Sequence, residues 1–197
     1  MIVINQSNSH TMVYNFRLYI FVKTILKSMR LLLLLVFFSS LSFNSELLAQ
    51  NLFKSFVFQM PMEEAKLLLN KDSKILKNLS FGGGTIYAVR KKSLVGRDDK
   101  LVSMNLGSKK NLNLDQAGTY MKKSRAYFES KKFKTVYAQE NWFNPDLVKK
   151  NLPCIRFVDP EKTVVVEVDP RGQGSVYNVF ITFYNYDWFL KKAFGKE

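Results

Sequence analysis

The segment CIRFVDPEKTVVVEVDPRGQGSVYNVFITFYNY, residues 154–186, decides the fold. β-Branched and aromatic residues dominate it, and a Val-Asp-Pro tripeptide interrupts it twice, at 158–160 and 168–170. Proline and glycine at these breaks are typical of turns. The pattern predicts a three-stranded antiparallel meander with strands at 154–158, 163–168 and 175–186.

The break at 168–175 has two interpretations. As a plain turn, it uses Gly172 and Gly174 for backbone freedom and needs little from its charged side chains. As a binding loop, it presents Asp169 and Arg171 beside Tyr177 and Asn178. We favour the turn, which predicts that Arg171→Ala changes the free energy of unfolding by only about 0.5 kcal/mol.

The last strand of the meander has one face that suits a core and one that does not. Alternate residues Tyr177, Val179, Ile181 and Phe183 form the core face, whereas Asn178, Phe180, Thr182, Tyr184 and Tyr186 form the other. Three aromatic rings among small polar groups suit stacking on a sugar ring or a peptide. The alternative is that a C-terminal helix at 188–194 covers this face with Trp188, Phe189 and Phe194. The candidate binding residues are Asp169, Arg171, Asn178, Phe180, Thr182, Tyr184 and Tyr186.

The rest of the chain adds helices and a hairpin. Pro61, Glu63 and Glu64 suit the start of a helix ending near Asn70, and a second short helix follows at 73–79. Strands are predicted at 86–95, 101–106 and 135–139, with a hairpin turn at 96–100 and Val102, Met104 and Leu106 facing the core. Asn113 and Gln116 form a capping box for a helix whose buried stripe is Leu114, Ala117, Met121, Ser124 and Phe128. The triple glycine 82–84 is a helix stop rather than a phosphate loop, because no helix follows it.

These elements predict an α+β fold. We expect a mostly antiparallel sheet with helices packed on one face, ending in a three-stranded meander and a short C-terminal helix. The segment 50–197 is long enough for a single domain with its own core.

The N-terminal segment resembles a secretory signal peptide. Met29 and Arg30 precede the apolar run LLLLLVFF at 31–38, and cleavage after Ala49 leaves Gln50 first. We therefore expect residues 1–28 to be an upstream extension, 29–49 a signal peptide, and the protein to be periplasmic or secreted. The alternative is a two-segment membrane anchor, for which both apolar runs are short.

Charge indicates the class of partner. The whole chain carries 30 basic and 16 acidic residues, and 50–197 retains 26 and 15, a net charge of +11. Such a charge favours an anionic envelope component or an acidic protein. Nucleic acid is a weaker candidate, because the lysines are spread along the chain and export limits access to it. If the signal-peptide interpretation is wrong, the alternative is a cytoplasmic nucleic-acid binder. Contact with a membrane is expected only through an uncleaved N-terminal segment.

Residue types restrict the chemistry. His10 is the only histidine and lies in the segment expected to be absent from the mature protein, which excludes histidine-dependent triads and the usual zinc ligands. Cys154 is the only cysteine, and we expect a buried, unreactive thiol. We expect no cofactor, no metal and no catalytic residues. The alternative is a hydrolase or lyase that uses the carboxylates of Glu167, Asp169 and Asp187.

Overall fold

The structure, a computed structural model, describes residues 50–195 and has the expected α+β architecture. Contacts between residues group this described segment into one compact unit. The predictions for residues 1–28, for the signal peptide at 29–49 and for His10 lie outside the described residues. Among those described, no helix has the length and apolar character needed to cross a membrane.

Nine strands are present in the described part of the chain. They are β1 (Asn51–Phe53), β2 (Phe56–Val57), β3 (Tyr87–Ala88), β4 (Leu94–Arg97), β5 (Lys100–Ser108), β6 (Lys134–Gln139), β7 (Cys154–Val158), β8 (Val164–Gln173) and β9 (Val176–Asn185). The first two form a small hairpin of their own. The other seven form one antiparallel sheet in the order β3-β5-β9-β8-β7-β6, with β4 also paired to β5.

Five α-helices accompany the sheet. They are α1 (Met62–Lys71), α2 (Ser73–Leu76), α3 (Leu114–Ser130), α4 (Pro145–Lys149) and α5 (Tyr186–Phe194). The capping box predicted for α3 is confirmed, because the Gln116 backbone N–H donates to Asn113 Oδ1 at 2.8 Å and the Asn113 N–H donates to Gln116 Oε1 at 3.0 Å. Its predicted stripe is also confirmed: Ala117, Met121, Ser124 and Phe128 are buried, and Leu114 packs against the core.

The core lies between one face of the sheet and helices α1 to α4. Phe128 of α3 contacts Phe157 and Phe183 of the sheet, with ring centroids 5.3 and 6.3 Å apart. Ala65, Leu69, Leu76 and Val148 bring the other three helices into the same cluster. The last helix, α5, packs on the opposite face, where Phe189 contacts Tyr184. That second face is where polar and charged groups accumulate.

The predicted strand at 86–95 is wrong in its extent. A 3₁₀ turn at Lys91–Ser93 divides it into β3 and β4. Ser93 Oγ accepts a hydrogen bond from the Arg90 backbone N–H at 2.8 Å, so a side chain takes the place of a neighbouring strand. In the following hairpin, Asp98 and Asp99 adopt positive φ values of 51° and 56°.

Of the three β5 side chains predicted to face the core, Val102 does not belong to the core cluster. Gly96 pairs with Leu101 and Val95 with Ser103, so Val102 lies at a β-bulge. The bulge changes which side chains face inward. Leu101 joins Met104 and Leu106 in the core cluster, whereas Val102 is buried outside it.

The predicted turn at 168–175 is also wrong in its extent. β8 continues to Gln173, and Pro170 pairs with Val179 of β9. β8 pairs with β7 only as far as Val168. Beyond that residue, β8 has a neighbouring strand on one side only within the described chain. An edge position is where a strand tolerates proline. Asp169 and Arg171 therefore lie within a strand.

Candidate functional site

The sheet face opposite the core carries a row of polar side chains. The register places Asn105, Thr182, Glu167, Arg156 and Tyr137 side by side on five consecutive strands, from β5 to β6. Thr182 is only 3% exposed, and its Oγ1 meets no hydrogen-bond partner within 50–195. Asn105 Oδ1 is likewise buried without a partner in the described chain. This face is therefore polar but partly buried, unlike a sheet face that is simply exposed to solvent.

Two arginine–carboxylate pairs stand on this face. Arg156 Nε lies 2.5 Å from Glu167 Oε2, and Arg171 Nε lies 2.5 Å from Asp169 Oδ2. The Asp169 side chain is only 7% exposed. Burial raises the pKa of Asp169 above its usual range, against the opposing hydrogen bond from Arg171. Each pair is thus a partly buried, charge-assisted contact.

Aromatic rings flank both guanidinium groups. The Arg156 guanidinium lies 5.1 Å from the Tyr137 ring centroid and 5.6 Å from that of Phe189, so it sits near rings of two elements. The Arg171 guanidinium lies 4.8 Å from the Phe180 ring centroid. Such contacts restrict the motion of an arginine and hold its planar group in one orientation.

The predicted binding residues fall into two groups. Asp169, Arg171 and Phe180 form one contact, beside which Asn178 Oδ1 accepts a hydrogen bond from Ser108 Oγ at 3.1 Å. Thr182 and Tyr184 lie further along β9. Tyr186 is not on the strand face at all, because α5 begins there and its N–H donates to the Thr163 carbonyl.

The C-terminal helix covers part of this face with Trp188 and Phe189, as the alternative for the last strand expected, whereas Phe194, expected to join them, is 71% exposed. The Trp188 ring stacks on Tyr184 with centroids 6.0 Å apart and planes 13° apart, and Phe189 lies 5.3 Å from the same ring. Burial under the helix raises the pKa of Tyr184 to about 12. Coverage is incomplete, because a cleft of about 390 Å³ remains between helix and sheet. Its lining residues are Arg156, Glu167, Tyr184, Phe189, Lys192 and Ala193.

Of the three carboxylates considered for catalysis, two lie on β8 and one lies on α5. Glu167 and Asp169 lie on the same face of β8, but each is bonded to its own arginine. Asp187 is exposed on α5.

A basic groove elsewhere on the domain was not predicted from the sequence. Its volume is about 760 Å³, and its lining residues are Lys74, Lys77, Asn78, Ala88, Val89, Arg90 and Lys109. Among the described residues, no carboxylate lines it. Lys109 Nζ donates to Asn78 Oδ1 at 2.5 Å, and none of the four cations forms an ion pair within residues 50–195.

The charged residues of the basic groove come from three separate elements. Lys74 and Lys77 come from α2 and the residue after it, Arg90 follows β3, and Lys109 follows β5. The spacing of three between Lys74 and Lys77 was the one local signal, since it places both on the same helical side. Pairing of β3 with β5 makes the two strands neighbours, and Arg90 Nη2 donates to the Lys109 carbonyl at 3.5 Å.

Cys154 lies on the polar side of the sheet and is buried. Burial, together with the negative charge of Glu167, raises the pKa of its thiol to about 11. The neutral thiol is therefore the stable form at ordinary pH. In the described part of the chain, no group of three His, Cys, Asp or Glu side chains is placed to hold a metal ion.

No protein-family model, no curated protein and no solved structure matches this chain. Two sites of the domain are candidates for function: the polar face with its cleft, and the basic groove.

Proposed function

We propose that this protein is an exported, non-catalytic binding protein that holds an anionic partner in the basic groove. The observation that supports this function is the grouping of Lys74, Lys77, Arg90 and Lys109 around one concave surface, where residues 50–195 contribute no carboxylate. Like charges placed together repel each other, and an anion removes that repulsion.

The groove has the shape and the rigidity that a binding surface needs. Ala88 and Val89 are buried at 5% and 3% exposure, and they give it an apolar floor. The hydrogen bond from Lys109 to Asn78 fixes one cation of the rim. Lys74, Lys77 and Arg90 are exposed, so their charges are available to a partner.

An anionic envelope component or an acidic protein suits this site best. The apolar run after Met29 and Arg30, which resembles a signal peptide, supports export, and an exported protein would meet such partners outside the cytoplasm. A cytoplasmic nucleic-acid binder remains the alternative if export fails. For the carboxylate-dependent hydrolase or lyase, the separate pairing of Glu167 and Asp169 offers no support.

Charge reversal in the groove tests the proposal. We expect the full-length chain to bind polyglutamate and a sulfated glycan, and Lys74→Glu/Lys77→Glu to weaken both interactions about tenfold or more. Fluorescence anisotropy with labelled probes measures this, and rising salt concentration should weaken binding further.

A matched control separates the groove from general charge. Lys149→Glu/Lys150→Glu changes the net charge by the same amount at two exposed lysines outside the groove. It should leave most of the affinity intact. Equal losses in the two double variants would show that the overall charge attracts the probes, and the groove would lose its role. Preference for duplex DNA over both probes would favour the nucleic-acid alternative.

A further inference from the structure

The cleft beneath α5 is a second concave site, and it differs in chemistry from the basic groove. It shares no lining residue with that groove. Its polar end holds Arg156, Glu167 and Lys192, and its walls are Tyr184, Phe189 and Ala193. A site of about 390 Å³ lies in the lower part of the size range of small-ligand pockets.

Arg156 is prepared to bind an anion. Its Nε donates to Glu167, and rings from β6 and α5 flank its plane. Within residues 50–195 its two Nη atoms donate no hydrogen bond. A guanidinium with both Nη atoms available receives a carboxylate end-on through two parallel hydrogen bonds. Because the side chain is already held in place, little rotamer freedom is lost when the ligand binds.

The charges of the lining select the charge of the ligand. Arg156 and Lys192 are positive and Glu167 is negative, which leaves one net positive charge in the cleft. One negative group on a ligand neutralises it, whereas a second would meet the Glu167 carboxylate. The aromatic and methyl groups of Phe189, Tyr184 and Ala193 leave room for an apolar body rather than a second polar group.

From this geometry we propose that the cleft binds a small monocarboxylate with an apolar body, with the carboxylate on Arg156 and the body against Phe189 and Ala193. The inference goes beyond the proposed function, because a small ligand under α5 is independent of a macromolecular anion in the groove. The Glu167 carboxylate acts here as a selectivity group, and Lys192 closes the positive end.

Titration calorimetry of the full-length chain with phenylacetate tests the proposal. We expect binding of phenylacetate, about tenfold weaker binding of its neutral amide, and weaker binding of phenyl phosphate, which carries more negative charge. Binding of the amide as tight as that of the acid, or no binding of phenylacetate at millimolar concentration, would overturn the proposal.

Substitutions in the lining place the ligand. Removing Arg156 would leave Glu167, whose side chain is 16% exposed, without its partner, so the informative changes are made around it. Ala193→Phe fills the cleft from an exposed position and should weaken phenylacetate binding about tenfold or more. Lys191→Phe adds the same ring to the same helix outside the lining, and it should leave binding unchanged.

Glu167→Gln tests the selectivity. Glutamine keeps an acceptor for Arg156 Nε but removes the negative charge, so the affinity for phenylacetate should rise about threefold and phenyl phosphate should gain more. An unchanged preference between the two ligands would overturn the role of Glu167. Loss of phenylacetate binding in Lys191→Phe as well as in Ala193→Phe would mean that the ligand lies elsewhere.

Discussion

Asp169 is the most deeply buried acidic side chain in the described part of the chain, and Arg171 is what makes its burial tolerable. The two residues are separated by one position in β8 and therefore lie on the same face of the strand. Phe180 of the neighbouring strand supports the guanidinium. Arg171 thus lies in a strand and pairs with a buried carboxylate, rather than in the plain turn that was expected.

Arg171→Ala should therefore cost more than the roughly 0.5 kcal/mol expected of a plain turn residue. Breaking a fully buried pair costs about 3–5 kcal/mol. Because the Arg171 side chain is 43% exposed, we expect a smaller loss of about 2 kcal/mol at pH 7, measured by urea denaturation. Arg125→Ala is the control, since its partners Glu129 and Glu140 are 43% and 53% exposed, and it should lose about 1 kcal/mol or less.

The Arg171 loss should also depend on pH. Burial holds the folded-state pKa of Asp169 above its unfolded value, so its carboxyl contributes stability at low pH, and that contribution declines as pH rises through the folded pKa. Without Arg171 the charged carboxylate loses its compensation, and the neutral form does not need it. The destabilisation should shrink at about pH 4, and a loss that grows on acidification would contradict this account.

Among the helices and strands, the sequence correctly predicts those features that depend only on residues close together in the chain. The capping residues Asn113 and Gln116 and the stripe of α3 follow from spacing within one helix. The end of β8 could not be predicted in this way, because Pro170 is typical of a turn. Only the pairing of β7 with β8, which stops at Val168, shows that Pro170 lies at an edge position. The bulge at Val102 likewise depends on the pairing of β4 with β5, which no local pattern contains.

Helix α5 depends on one residue at its start. Asn185 Oδ1 accepts a hydrogen bond from the Trp188 N–H at 2.8 Å, and its Nδ2 donates to the Gln50 side chain. Asn185→Ala removes both contacts at a position that is 3% exposed. We expect a loss of about 1–2 kcal/mol and faster hydrogen exchange at the amides of α5.

Asn113→Ala is the matched control, because it removes the cap of α3 and leaves α5 in place. It should cost about 1 kcal/mol without changing exchange in α5. Equal exchange in α5 for the two variants would show that Asn185 does not hold the helix over Tyr184.

At the scale of the whole molecule, the sequence predicts the sign and the size of the charge but not its grouping. The basic groove joins residues that are 35 positions apart, from Lys74 to Lys109, through the pairing of β3 with β5. The polar row of five strands is similarly a product of register. Alternation along β9 predicted which face is polar, whereas the contributions of Arg156 and Asn105 required the neighbouring strands.

Gln50 lies at the start of the folded domain, which agrees with the position predicted for signal-peptide cleavage, after Ala49. Gln50 already takes part in the domain, because its carbonyl accepts a hydrogen bond from the Phe58 N–H at 2.9 Å and its side chain accepts one from Asn185. Leu52 is 3% exposed, and the Phe53 ring lies 4.8 Å from that of Phe183. We therefore expect mass spectrometry of the protein from its native host to find a chain that begins near Gln50. Recombinant chains supply the control: one beginning at Gln50 should unfold in a single transition, and one beginning at Lys54 should be less stable by about 3 kcal/mol or more. An intact Met1 in soluble cytoplasm would contradict export, and equal stability of the two recombinant chains would show that β1 is not part of the core.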